Sequence, residues 1–210
     1  MGTPVDDVRV LRAIAHPVRN QILGELDAVG SLRAADIAAR LGIPANQASF
    51  HLRQLAKYGL VEEDPDAARD RRDRVWRVVD SGGLEVDTGR VGAAPGGAAA
   101  ARVYLGAAAT EAHRLVDLCY APPSAAPQGI HRSSSDDRLL LSSQEARELR
   151  EELTALVDRW RERGRSGPSG PGGPSDERDE RRTYILHSML VPRPPVEAAE
   201  AAETAETDDA

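Results

Sequence analysis

The stretch from Arg33 to Leu60, RAADIAARLGIPANQASFHLRQLAKYGL, constrains the fold more than any other part of the chain. Ala34, Ile37, Ala38 and Leu41 fall at helical spacing and make one apolar face, and Gly42 then interrupts the pattern. A second helix starts at about Pro44, where proline suits a first helical turn, and turns a stripe of Ala48, Leu52 and Leu55 inward. At about 100° per residue the opposite stripe is Asn46, Phe50, Arg53 and Lys57. No acidic residue lies between Pro44 and Leu60. A buried stripe backed by an acid-free face is what a helix reading the major groove needs, with cations for phosphates and amides for base edges. The plain alternative is an amphipathic helix whose solvated face is basic, and the flanking sequence weighs against it.

Upstream, Val5 to Ala15 reads as a first helix with Val8, Leu11, Ile14 and Ala15 on one side. His16-Pro17 breaks it, and Pro17 opens a second helix to about Val29 that carries Val18, Ile22, Leu26 and Val29 inward and ends at Gly30. Ser31-Leu32 is a short extended link. Downstream, Leu60 to Glu63 and Arg74 to Val79 read as two strands around a polar loop from Asp64 to Asp73. Four helices followed by a hairpin describe a winged helix-turn-helix.

In this order LRAIAHPVRNQIL, DIAARLGI, ASFHLRQLAKYGLVEE and RDRRDRVWRVV resemble successive blocks of the ArsR-type winged-helix repressors, over about residues 8–79. The most specific piece is Ser49-x-His51-Leu52-x-x-Leu55 running into Tyr58-Gly59-Leu60-Val61. The resemblance implies a dimeric, sequence-specific DNA-binding regulator. Carried over by position, it puts base reading and phosphate contact on Ala45, Asn46, Gln47, Ser49, His51 and Arg53, with Ala45 departing from the polar residue usual there. Phe50 on the outward stripe either touches a thymine methyl or folds back over the wing. His51, at the edge of the buried stripe, is either a satisfied structural histidine or a phosphate contact. Lys57 and the wing residues Arg69, Arg71, Arg72 and Arg74 are further phosphate candidates, although the interleaved Asp66, Asp70 and Asp73 also suit a merely solvated hairpin.

The net charge of −7 is awkward for a DNA binder until it is divided along the chain. Residues 1–80 hold 12 basic and 12 acidic side chains, whereas 196–210 hold six acids and no base. The charge that matters is the local one on the binding face. One cysteine, Cys119, excludes an internal disulfide framework and fits a reducing compartment. The opening MGTPVDDVRVL has no apolar signal core, and no run of about 18 apolar residues exists, so a soluble cytoplasmic protein without membrane partners is expected. Metal-responsive relatives of the ArsR type hold soft ions with a cysteine pair in the helix before the recognition helix; the stretch Ala34 to Leu41 has none. A second site type would draw on Glu111, His113 and Asp117, without other support, and no metal and no cofactor are expected. No nucleophile–base pair, glycine-rich phosphate loop or metal triad points to an enzyme.

The second half has its own pattern. Residues 81–98 are Gly/Ala-rich and read as a linker, with a short strand at Leu84 to Val86. A helix from about Ala99 to Tyr120 sets Leu105, Ala108, Ala112, Leu115 and Cys119 three and four apart, a seam for a partner helix or for its own domain. Cys119 on that seam reads as a small apolar group. Arg138 to Leu141 reads as a strand, Ser142-x-x-Glu145 as a capping box, and the helix it opens carries Ala146, Leu149, Leu153, Leu156 and Trp160 in the same rhythm. A flexible loop over 164–180, a strand in Arg182 to Val191 and a disordered acidic tail over 193–210 complete the chain.

The expectation is an α+β, mainly α architecture. A winged helix-turn-helix over 1–80 and a linker over 81–98 precede a helix-strand-helix-strand region over 99–192. That last region would serve dimerisation or sensing of an unknown small-molecule effector. The leading functional expectation is a homodimeric regulator, a repressor by resemblance, bound to double-stranded DNA. The competing one is a winged-helix protein-interaction module without specific DNA readout, which has no need of an acid-free face.

Overall fold

The computed structural model describes residues 3–68, 74–80, 84–122, 131–166 and 182–192. Helix α1 (Val8–Ile14) starts at Asp7, whose carboxylate accepts the amide of Arg9 at 2.7 Å. Helix α2 (Pro17–Val29) takes Pro17 into its first turn and stops at Gly30, whose φ of 99° suits a residue without a Cβ. Strand β2 (Leu32–Arg33) follows the short β1 (Thr3–Pro4) and leads into α3 (Ala34–Leu41). Gly42, at φ 64°, makes the left-handed turn into α4 (Ala45–Lys57), and β3 (Val61–Glu63) and β4 (Val75–Val78) form the wing hairpin.

The sheet order is β2-β4-β3, antiparallel throughout, with Leu32 opposite Trp76 and Val61 opposite Val78. The residues read as a link after Gly30 therefore supply the third strand. This is an α+β winged helix, mainly α. Its core is aliphatic: Leu11, Ile22, Leu26, Ile37, Leu52, Leu55, Val61 and Val91 are the largest fully buried side chains. Each contributes about 1.5–3 kcal/mol by leaving water.

Two expectations fail in physically instructive ways. Residues 81–98 are not a bare connector. The short strand expected near Leu84 is present as β5 (Leu84–Glu85), paired in parallel with β1, but α5 (Thr88–Gly92) was not expected and places Val91 in the core. The glycine that looked like flexibility is a contact: a Cβ on Gly97 would stand 1.8 Å from the carbonyl oxygen of Val91. Helix α6 (Gly97–Tyr120) can start there only because that residue has no side chain. The second failure concerns strands in 138–141 and 182–191. Both stretches are described, and neither belongs to a sheet. A β-prone run becomes a strand only beside another backbone that completes its hydrogen bonds, and these two do not meet one. Leu140, Ile185, Leu186 and Met189 stay largely exposed.

Helix α7 (Ser143–Ser166) begins with the expected capping box: Ser142 Oγ accepts the amide of Glu145 at 3.2 Å, and the Glu145 carboxylate accepts the amide of Ser142 at 2.7 Å. None of its residues is buried. It is tied to α2 through Asp27, which pairs with Arg161 at 2.9 Å and Arg165 at 3.1 Å. The seam residues of α6 and α7 are only partly covered. Leu105, Leu153, Leu156 and Trp160 are exposed, Ala112, Leu115 and Cys119 half-buried. Between α2, α3, α6, α7 and residues 182–187 lies an open cleft of about 2220 Å³, lined by Tyr104, Leu115, Leu156, Trp160 and Ile185 among others. The loop expected over 164–180 loses its first three residues to α7; 167–180 and the tail over 193–210 lie outside the described residues.

Candidate nucleic-acid interface

The site is built on the pair α3–α4. The carboxylate of Asp36 accepts the amide of Arg33 at 3.2 Å and its guanidinium at 2.9 Å, which fixes the start of α3. The hydrogen bonds from Arg33 and its charge also hold the Asp36 carboxyl below its usual pKa. Ile37 and Ala38 on α3 pack against Ala48, Leu52 and Leu55 of α4, all three fully buried. With one stripe of α4 locked into the core, its rotation about its own axis is set.

What then faces outward follows from the helical period. Asn46, Phe50, Arg53 and Lys57 are exposed, and Gln47 and Ser49 are partly so. The Asn46 side-chain oxygen accepts the amide of Gln47 at 2.9 Å, leaving its NH₂ group to face solvent. Phe50 is half exposed and stands edge-on to His51, ring centroids 5.3 Å apart. Lys57 lies in the last turn, where a cation also suits the helix dipole. Ala45 is exposed as well, in front of Pro44 as the N-cap.

On the wing, Arg74 is exposed and lies 3.6 Å from Glu63 on the facing strand. Arg77 pairs with Glu62 at 2.7 Å. Arg69, Arg71 and Arg72 lie outside the described residues. The carboxylate of Asp64 accepts the hydroxyl of Ser31 at 2.5 Å, which ties the base of the wing to the end of α2.

His51 lies nearer the structural of the two alternatives for it. It is 5% exposed, so it does not stand on the outward face with Arg53 and Lys57. Its Nδ1 has no hydrogen-bond partner among the described residues. Its ring lies 4.7 Å from that of His16, the N-cap residue of α2. Burial, then the charges of His16 and Arg19, lower the pKa of His51; burial, then Arg19, lower that of His16. Neither His16 nor Arg19 was singled out by sequence reading. Their only trace in the sequence is the block AHPVR, in which the proline marks the helix start between the two polar residues.

These shifts have a sign. Imidazoles that resist protonation when folded take up protons more readily in the unfolded chain. Their contribution to stability is complete above the ordinary pKa of about 6.5 and is lost as pH falls below it. The melting temperature should therefore drop from about pH 7.5 to about pH 5.5. The drop should be smaller in the double variant His16→Gln/His51→Gln, measured by circular dichroism.

Glu111 is bound to Arg114 at 2.6 and 2.8 Å, and His113 and Asp117 are exposed. Among the described residues no group of three or more His, Cys, Asp or Glu side chains is gathered as a metal site would need. No helix among them is long and apolar enough to cross a membrane.

Residues 14–64, from the end of α1 to the start of the wing, match the family model of a helix-turn-helix domain. That match covers about a quarter of the chain and does not single out the ArsR type. No curated protein sequence matches the chain. Among solved structures the chain is similar to a double mutant of Lactococcus lactis ZitR in apo form, with 16% identity over 70% of this chain and 83% of that one and a TM-score of 0.32. It is also similar to a mutant of MarR from E. coli, at 14% identity, 66% and 75% coverage and a TM-score of 0.29. A mutant of S. aureus MepR bound to an oligodeoxyribonucleotide gives 19% identity, 68% and 78% coverage and a TM-score of 0.28. At such scores these neighbours add nothing to the winged helix described above, whose central stretch is a helix-turn-helix domain.

Proposed function

We propose that the chain is a DNA-binding transcription regulator of the ArsR type, acting as a homodimeric repressor. The observation that carries this reading is the fixed orientation of α4. With Ala48, Leu52 and Leu55 fully buried, the helix presents Asn46, Gln47, Ser49, Arg53 and Lys57 outward from a stretch without a single carboxylate. In this reading Asn46, Gln47, Ser49 and Arg53 read base edges, Phe50 meets thymine methyl groups, and Lys57, Arg74 and the wing residues Arg69, Arg71 and Arg72 hold phosphates. The half-covered seams of α6 and α7 support a dimer, because a second copy would cover the apolar side chains they leave exposed. The cleft between the winged helix and α6–α7 is where a small-molecule effector would act. No catalytic step and no cofactor belong to this reading.

Selection of bound sequences from random duplex DNA at fixed, near-physiological salt tests it. A two-fold symmetric motif with half-sites about one helical turn apart is the expected result. On the selected duplex, Lys57→Ala should weaken binding to all sequences alike and lower the salt slope by about one, whereas Asn46→Ala should relax preference at particular bases. Recovery of no sequence above background would favour the protein-interaction module instead.

A further inference from the structure

Among the described residues three buried side-chain polar atoms have no hydrogen-bond partner: His16 Nδ1, Arg19 Nε and His51 Nδ1. They belong to one cluster. The rings of His16 and His51 are 4.7 Å apart, and Arg19, one turn into α2 from His16, acts electrostatically on both. Among the described residues no carboxylate acts on any of the three. The other ionisable group beside Arg19 is the phenol of Tyr58 at the end of α4, which in turn lies near Arg9 of α1. Phe50 closes one side, edge-on to His51.

Only His51 of the three is buried, while His16 and Arg19 are half-buried at its side. A guanidinium stays charged at any physiological pH, and a partly buried charge without a counter-ion is a standing cost. Buried polar groups without partners are rare enough that three together call for an occupant. The surroundings specify its sign. Among the described residues the ionisable groups that act on the cluster are His16, Arg19 and Tyr58, and α2 begins at His16 with no side-chain cap on its first amides, at the positive end of the helix dipole. These surroundings suit an anion.

Its source follows from position. At about 100° per residue His51 sits a quarter-turn around α4 from Phe50, on the flank between the outward and buried stripes. When a helix lies in the major groove its outward stripe meets base edges and its flanks meet the sugar-phosphate backbone.

We propose that His16, Arg19 and His51 form an anion site on the flank of α4 and that its ligand is a phosphodiester group of the DNA backbone. The site rests on the DNA-binding reading and adds to it two residues, His16 and Arg19, from outside the helix-turn-helix pair. Arg19 supplies the permanent charge. His16 donates to a phosphate oxygen, and His51 is a positioning residue that holds the His16 ring from behind. Because a bound phosphate favours the protonated imidazole, complex formation takes up protons. DNA affinity then rises as pH falls through the range in which the free protein loses stability.

The test uses the full chain and the duplex recovered by selection, titrated between about 50 and 200 mM salt. Arg19→Met should lower affinity about tenfold and the slope of log affinity against log salt by about one. Its free-state melting temperature should stay level or rise, since an unpaired charge is removed. A purely structural Arg19 would give the reverse, a lower melting temperature with an unchanged salt slope, and that result would overturn the site. The double variant His16→Gln/His51→Gln should flatten the pH dependence of binding while Arg19 keeps most of the affinity. Neutral methylphosphonate links, placed one at a time, should include a position that weakens the wild type and leaves Arg19→Met unaffected.

If Lys57→Ala weakens binding but Arg19→Met does not, DNA binding stands and the cluster is filled by water. If the wild type binds no duplex at all, the DNA-binding reading fails and the site with it. Inorganic phosphate added to the free protein separates the sources. Stabilisation by phosphate together with an unchanged DNA salt slope in Arg19→Met would mean a free anion and overturn the assignment to DNA.

Discussion

Reversing the charge of both cations on the outward stripe of α4, Arg53→Glu/Lys57→Glu, is expected to reduce DNA affinity by about two to three orders of magnitude. Each substitution removes an attraction and adds a carboxylate facing phosphates across a short gap. The pair lies on a stretch that otherwise carries no acid from Pro44 to Leu60, so nothing nearby would be relieved by the change. Both residues are exposed and their side chains pack no part of the core, so the melting temperature should fall only modestly, through the carboxylate placed at the C-terminal end of α4. Fluorescence anisotropy on a labelled selected duplex at fixed salt measures the effect. Affinity retained within about threefold would mean that another face of the molecule meets DNA, and the reading of α4 would have to be given up.

The second large effect concerns folding and pairs two identical changes in one helix. Gly97→Ala places a methyl group 1.8 Å from the carbonyl oxygen of Val91, a contact that only a shift of backbone can relieve. Val91 is itself in the core, so separating α5 from the start of α6 opens apolar surface as well. A loss of about 2–3 kcal/mol is expected, in the upper range for overpacking. Gly106→Ala, two and a half turns further along α6, meets nothing within 4 Å at an exposed position. There the better helix propensity of alanine should raise stability by about 1 kcal/mol. Urea melts of the two variants beside the wild type would show displacements of opposite sign. Two displacements of the same sign would mean that the α5–α6 junction is not packed as described.

The contrast between these glycines also explains what could be read from the chain before its structure. Ala48, Leu52 and Leu55 announced their burial because a helix repeats every 3.6 residues and the pattern of one stripe suffices to orient it. Pro17, Gly30 and Gly42 marked their helix boundaries for equally local reasons. The packing of residues 88–98 was not legible because small residues have two physical uses that look alike in sequence: they loosen a chain, and they let two backbones touch. Gly97 does the second. The runs RLLL and TYILHSMLV had strand composition but not strand partners, and a partner is a property of the whole fold rather than of the run.

The outward stripe of α4 was likewise legible, since it is the complement of the buried one. The cluster of His16, Arg19 and His51 was not. It joins the start of α2 to the flank of α4, residues more than 30 positions apart, through side chains whose importance lies in what they fail to bond.

The aliphatic core has a practical corollary in optics. The chain has two tryptophans, and the fold has put them in opposite surroundings: Trp76 is sealed in the central strand of the wing sheet at 7% exposure, Trp160 projects from α7 at 61%. A sheltered indole emits at shorter wavelength and resists soluble quenchers, while a wet one emits further to the red and is quenched readily. The unlabelled protein thus carries two separate lamps, one lighting the wing and the other the half-covered helix α7. Removing either tryptophan leaves a molecule that signals from a single known place.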